Sequence, residues 1–176
     1  MSERDDDDND GLRREAADEG TFESAAGLAD ALHRVLRHAT ERDARVLQWC
    51  DEDFSAWPLG DAAFVDQLTR WVRGGPRELL LVAAGFDDLQ RRHPRFVRWR
   101  QDWAHVITCL EPAERRPDPL PTLWLDSADQ VVRVFDRVHW RGRVGADRVD
   151  RQQAREMLDA IAQRGTPAFG ASTLGL

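Results

Sequence analysis

Apolar positions recur with helical spacing over residues 22–39, where Phe22, Ala25, Leu28, Leu32, Val35 and Leu36 form one broad face. The pattern then changes. Residues 44–50 read as a strand, and Pro58 and Gly60 punctuate the loop that follows. Asp61 is placed to cap a helix whose stripe is Phe64, Val65, Leu68, Trp71 and Val72, stopped by Gly74, Gly75 and Pro76. Residues 78–84 are almost continuously apolar, as suits a strand covered on both sides. Asp87 stands where the next helix starts. Pro94 divides residues 87–103 into a short helix and a second one, because proline suits a first turn and breaks an interior.

A third strand follows at 105–110, and the proline-rich stretch 111–121 cannot be regular. Residues 122–127 and 131–135 then read as two strands around a tight turn. After them comes a charged loop with His139, Arg141, Arg143 and Asp147. A last amphipathic helix spans 150–164, with Asp150 as its cap and Gly165 as its stop. The order α–β–α–β–α–α–β–β–β–α predicts a three-layer α/β/α unit around a mixed, mostly parallel sheet. Domain limits are expected at 21–165, between a disordered acidic tail at 1–20 and a flexible tail at 166–176.

Charge alters this picture in one place. The net charge is −7, but residues 3–19 hold nine acids and three arginines, which accounts for −6 of it. The body is therefore nearly neutral. With 41% hydrophobic and 32% charged residues, the chain has material for a core and no apolar run long enough to cross a bilayer. The acidic start is unlike a signal peptide, so a cytoplasmic location is expected. Cys50 and Cys109 end apolar runs and read as buried thiols, not a disulfide framework.

Candidate chemistry is sparse. All 25 basic residues are arginine, so lysine-based phosphate and Schiff-base chemistry are absent. No GxGxxG, GxxxxGK[ST] or GxSxG motif occurs. Acids follow the first strand (Asp51, Glu52, Asp53), and they read as caps more readily than as metal ligands, so no metal or cofactor is expected. Two arginine groups remain. In one, His139 is placed as a nucleophile, with Arg141 and Arg143 as phosphate contacts and Asp147 as its orienting acid. In the other, Arg95, Arg98 and Trp99 lie in an arginine-rich segment, 91–103, that has the residues for phosphate contact and base stacking. The neutral body and acidic N-terminus count against nucleic acid as a partner.

The segments RVLQWCDEDFSAWPLGDAAFVDQLTRWVR, RELLLVAAGFDDLQRRHPRFVRWRQDW and LWLDSADQVVRVF resemble a bacterial phospholipase D-like domain family, sometimes joined to GNAT-type acetyltransferases. The resemblance covers roughly 22–164 and implies a single phospholipase D-like unit. The active family motif is HxKxxxxD. Here His139 matches its histidine, Arg141 replaces its lysine, and Ala146 stands where the acid belongs, with Asp147 one residue late. No second copy is present. The resulting expectation is a non-catalytic interaction or regulatory domain with a protein partner, in which a homodimer would pair two altered motifs. Phosphodiester binding or weak phosphodiesterase activity at His139 is one alternative. A nucleic-acid module at 91–103 is the other.

Overall fold

The computed structural model describes residues 19–114 and 117–170. The central strands form where apolar residues dominate, with Gln48 and Thr108 the polar residues in their middles. β2 (Val46–Asp51) and β3 (Glu78–Ala83) run parallel, and β3 runs parallel to β4 (Ile107–Pro112). Leu47, Trp49, Leu79 and Leu81 enter one core, whereas Cys50 and Val82 enter a second core on the other face. Alternate side chains on a strand point to opposite faces, so a continuous apolar run fills both.

On the other side of β2 the sheet turns antiparallel. The order is β1-β7-β6-β5-β2-β3-β4-β8. β5 (Leu123–Asp126), β6 (Val131–Asp136), β7 (Arg141–Gly145) and β1 (Gly20–Glu23) continue from β2 as an antiparallel meander, and β8 (Gly165–Pro167) closes the far edge against β4. Only two of the seven pairings are parallel, so the expected mostly parallel sheet is corrected to a mixed, mostly antiparallel one. The α/β class stands, with eight strands and five helices among the described residues.

Three strands lie where regular strands were not expected. β1 precedes the first helix because Ser24 caps that helix, its hydroxyl accepting from Gly27 N at 3.0 Å. Phe22 thus leaves the helical face and becomes the buried residue of an edge strand. β7 lies within the expected charged loop. Its Gly142 sits where an added Cβ would be 2.4 Å from both the Phe22 ring and the Arg133 carbonyl, so only glycine admits that close approach. β8 falls in the expected C-terminal tail, and beyond it Phe169 stacks on Phe86 at 5.1 Å. The tail expectations over 1–18 and 171–176 lie outside the described residues.

The two faces are covered unequally. α1 (Ala25–Glu41), α2 (Ala62–Val72), α3 (Asp87–Arg92) and α4 (Pro94–Asp102) bury their apolar residues in the core that holds Trp49. There Trp49 lies 5.2 Å from its cross-strand partner Trp124 and 5.2 Å from Trp57, with Phe64 and Phe96 behind. The opposite face has one helix, α5 (Arg148–Ala162), packed on β4, β5 and β6 through Ala154, Leu158 and Ile161. Asp61 caps α2 as expected, accepting from Ala63 N at 2.9 Å. Asp87 is the first residue of α3 and accepts no capping hydrogen bond, and α5 is capped by Asp147, not Asp150. Among the described residues, no helix is long and apolar enough to cross a membrane.

Candidate nucleic-acid interface

The His139 group does not converge. His139 sits exposed in the turn between β6 and β7, held by Asp136. That carboxylate accepts from Val138 N at 2.9 Å, His139 N at 3.1 Å and the His139 ring at 2.8 Å. The ring hydrogen bond, then the backbone one, hold Asp136 below the usual carboxylate range. His139 therefore meets a turn-forming acid and not Asp147. Asp147 accepts from Val149 N and Asp150 N at the start of α5, where its Oδ1 is committed to the helix. Arg143 ion-pairs with Asp150, a buried carboxylate that also lies 3.6 Å from Arg133. Arg141 is exposed on β7. This arrangement orients a hairpin and offers no shared pocket for a phosphodiester.

A residue that sequence reasoning missed links the hairpin to the parallel strands. Arg137 donates to Thr122 Oγ1 at 3.1 Å and to Asp51 at 3.4 Å, lies 3.7 Å from Asp53, and stacks on Trp140 at 5.3 Å. Asp51 is fully buried at the C-terminal end of β2. It accepts from Asp53 N, Phe54 N, the Trp57 indole and the Thr122 hydroxyl. Such a carboxylate is already saturated and acts as a brace. At neighbouring Asp53, burial pushes the carboxyl pKa up. Hydrogen bonds from Ser55, then the charges of Arg137 and Arg92, outweigh it and leave the group below its ordinary range. No local signal joins Arg137 to Asp51, because they are 86 residues apart.

Beyond the ends of β3 and β4 lies a cleft of about 640 Å³ whose lining includes Glu52, Glu114, Asp118 and three prolines. Glu52 accepts from Leu120 N at 2.7 Å. The cleft's carboxylates repel phosphate, and neither His139 nor Arg141 lines it. Among the described residues, no group of three or more histidine, cysteine or acidic side chains is placed to hold a metal.

The α3–α4 segment is organised differently. Phe96 and Trp99 face inward, 5.5 Å apart, and the Trp99 indole donates to Thr69 on α2 at 3.0 Å. Trp99 is thus a core residue, which removes it from the expected stacking role. Arg100 is buried as well, its guanidinium against Cys109 at 3.3 Å and over the Phe169 ring at 4.1 Å. Arg91, Arg92, Arg95 and Arg98 occupy the outer surface. Arg91 pairs with Asp88, three residues earlier. Arg95 and Arg98, one turn apart on α4, make no ion pair among the described residues.

No family model matches the chain, and no curated protein sequence matches it. Among solved structures, one similar to it is that of TrmBL2, described as an archaeal chromatin protein with a novel mode of DNA binding. The TM-score is 0.55 at 9% identity, over 93% of this chain and 62% of that one. This chain thus spans less than two thirds of TrmBL2's length. At such identity the likeness concerns the fold alone. It replaces the phospholipase D-like assignment, which rested on a diffuse resemblance and an altered HxKxxxxD string whose histidine and acid the fold sends to a hairpin turn and a helix cap. The chain is a mixed α/β domain whose fold resembles part of TrmBL2.

Proposed function

We propose that this chain is a non-enzymatic binding module that contacts nucleic acid through the outer surface of α3 and α4. The observation that carries the reading is the state of Arg95 and Arg98. They are exposed, adjacent on one short helix, unpaired with carboxylates among the described residues, and set on a face whose inner side is anchored by Phe96 and Trp99. A guanidinium that ends in a salt bridge has little left for phosphate, and one that does not keeps its planar fork free.

The contact would be made to the phosphate backbone and would carry little base specificity. The near-neutral body makes this a local attraction of a few charges, so modest affinity and a shallow salt dependence, set by the few phosphates contacted, are expected. The likeness to TrmBL2 supports trying DNA first, because that protein is described as binding DNA. The broader expectation of an interaction domain without turnover stays within this reading, with nucleic acid as its partner.

The test is fluorescence anisotropy of a labelled DNA duplex titrated with the chain at low salt. Binding that weakens in Arg95→Ser/Arg98→Ser, with the far-UV circular dichroism unchanged, is the expected result. A duplex that does not bind, or that binds the double variant equally well, overturns the proposal.

A further inference from the structure

A cavity of about 420 Å³ opens at the end of the sheet where β2 begins. It lies between Glu19 ahead of β1, the last turn of α1, the β5–β6 turn and Ala146 after β7. The β5–β6 turn is fixed against that end of the sheet. Ser127 Oγ accepts from Arg45 N at 2.8 Å and Val46 N at 3.1 Å, and the buried Asp126 accepts from Ala128 N at 2.9 Å and Gln130 N at 3.1 Å. Asp129 ion-pairs with Arg151 on α5. The turn holds Gln130 on the cavity wall with 5% of its surface exposed. Its side-chain Oε1 is buried and has no hydrogen-bond partner among the described residues. Native buried acceptors are nearly all paired, because an unpaired one loses its bond to water and gains nothing in return. An orphaned acceptor on a cavity wall marks the place of a ligand's donor.

We propose that this cavity binds a free α-amino acid, whose ammonium group donates to Gln130 Oε1 and whose carboxylate lies on Arg42. The charges on the wall select a zwitterion. Glu19 favours a cationic donor. Arg42, which caps α1, has no carboxylate partner among the described residues, so its planar fork is open to a carboxylate. His38, in the last turn of α1, stands on the same wall. Asp129 is already neutralised by Arg151, which leaves one acid and one guanidinium. A phosphate would face Glu19 without bringing a cation to it, and a simple amine would face Arg42 without bringing an anion. Ala128 and Ala146 leave room beside these groups, in a volume that suits a small molecule.

The cavity is separate from the α3–α4 surface. That surface is joined through His93 and the Phe54 carbonyl to the loop at the other end of β2. Amino-acid binding neither needs nor disturbs Arg95 and Arg98.

The experiment is a thermal-shift screen of the full chain against the standard free L-amino acids, followed by calorimetric titration of the one that raises Tm most. At least one should raise Tm, because a ligand held only by the folded state stabilises it by mass action. Its N-acetyl derivative and its carboxamide each lack one charge and should bind at least about tenfold more weakly. Gln130→Leu, close in shape but without the amide, should weaken binding about tenfold, as should Arg42→Ser at the surface. Arg95→Ser/Arg98→Ser should leave the affinity unchanged. A screen with no shift overturns the proposal. So does binding indifferent to Gln130→Leu or to Arg42→Ser, equal binding of the N-acetyl derivative, or binding lost with Arg95 and Arg98. A shift produced by inorganic phosphate or by putrescine, and by no amino acid, overturns it as well. If Gln130→Leu does not fold, Arg42→Ser and the two blocked derivatives decide.

Discussion

The two faces of the sheet use similar residues to different ends. On the face covered by four helices, aromatics are stacked and hidden: Trp49, Trp57, Trp71, Trp124, Phe64 and Phe96 are all buried. On the face covered by α5 alone, the core is aliphatic and the aromatic Phe135 stands in solvent. Arginine divides too, but not by face. Arg77, Arg100 and Arg143 are tied to Asp43, Cys109 and Asp150, whereas Arg95 and Arg98, on the outside of the crowded layer, have no carboxylate partner among the described residues. The lesson is that side-chain type does not mark a contact surface. What marks it is whether the fold has withheld the partner that would neutralise or bury that side chain.

Stability should therefore reside in the aromatic face. Trp49→Ala removes a ring stacked between Trp57 and Trp124 and should cost about 4 kcal/mol in urea unfolding. A loss near that of a surface substitution would break the contrast at once. Gly142→Ala places a methyl against the Arg133 carbonyl and the Phe22 ring, and should cost about 3 kcal/mol by prying β1 from β7. The expected signature is rapid hydrogen exchange in β1 and β7 while β2 and β3 stay protected.

A smaller effect should follow pH. His93 is buried, with Nε2 3.1 Å from the Phe54 carbonyl, and burial lowers its pKa from 6.5 despite that hydrogen bond. Its neutral form is the folded one. It contributes stability in full above pH 6.5, and that contribution is lost as pH falls through the depressed folded value. Between about pH 7.5 and about pH 5, His93→Gln should flatten part of the fall in unfolding free energy. An unaltered slope would show that His93 is not linked to folding. At the small end, Phe135→Ala should change stability by no more than about 0.5 kcal/mol, because the ring is mostly in water.

Which features were legible in the sequence follows from how far each signal reaches. The helices at 25–41 and 62–72 carry several turns of amphipathic spacing, and β2 and β3 are short, mostly apolar runs, so their patterns sufficed. β1, β7 and β8 are three to five residues long, and glycine and arginine hide their alternation. Strand direction is not local at all. The antiparallel meander from β5 to β1 depends on β1 returning beside β7, about 120 residues away in the chain. The arginine surface was half legible. Helical spacing separates Arg95 and Arg98 from Phe96, but only the fold shows that Trp99 bonds to Thr69 and that Arg143 is taken up by Asp150. The HxKxxxxD comparison failed for the same reason, since a string of spacings cannot show that Asp147 is a helix cap.

The central claim is that two guanidinium groups on α4, unpaired among the described residues, hold the phosphate backbone. The direct measurement is the slope of log affinity for a DNA duplex against log salt, for the wild type and for Arg95→Ser/Arg98→Ser. Each phosphate contact removed should lower the slope by about 1, so the double variant should lose about 2. Equal slopes for the two proteins would contradict the account.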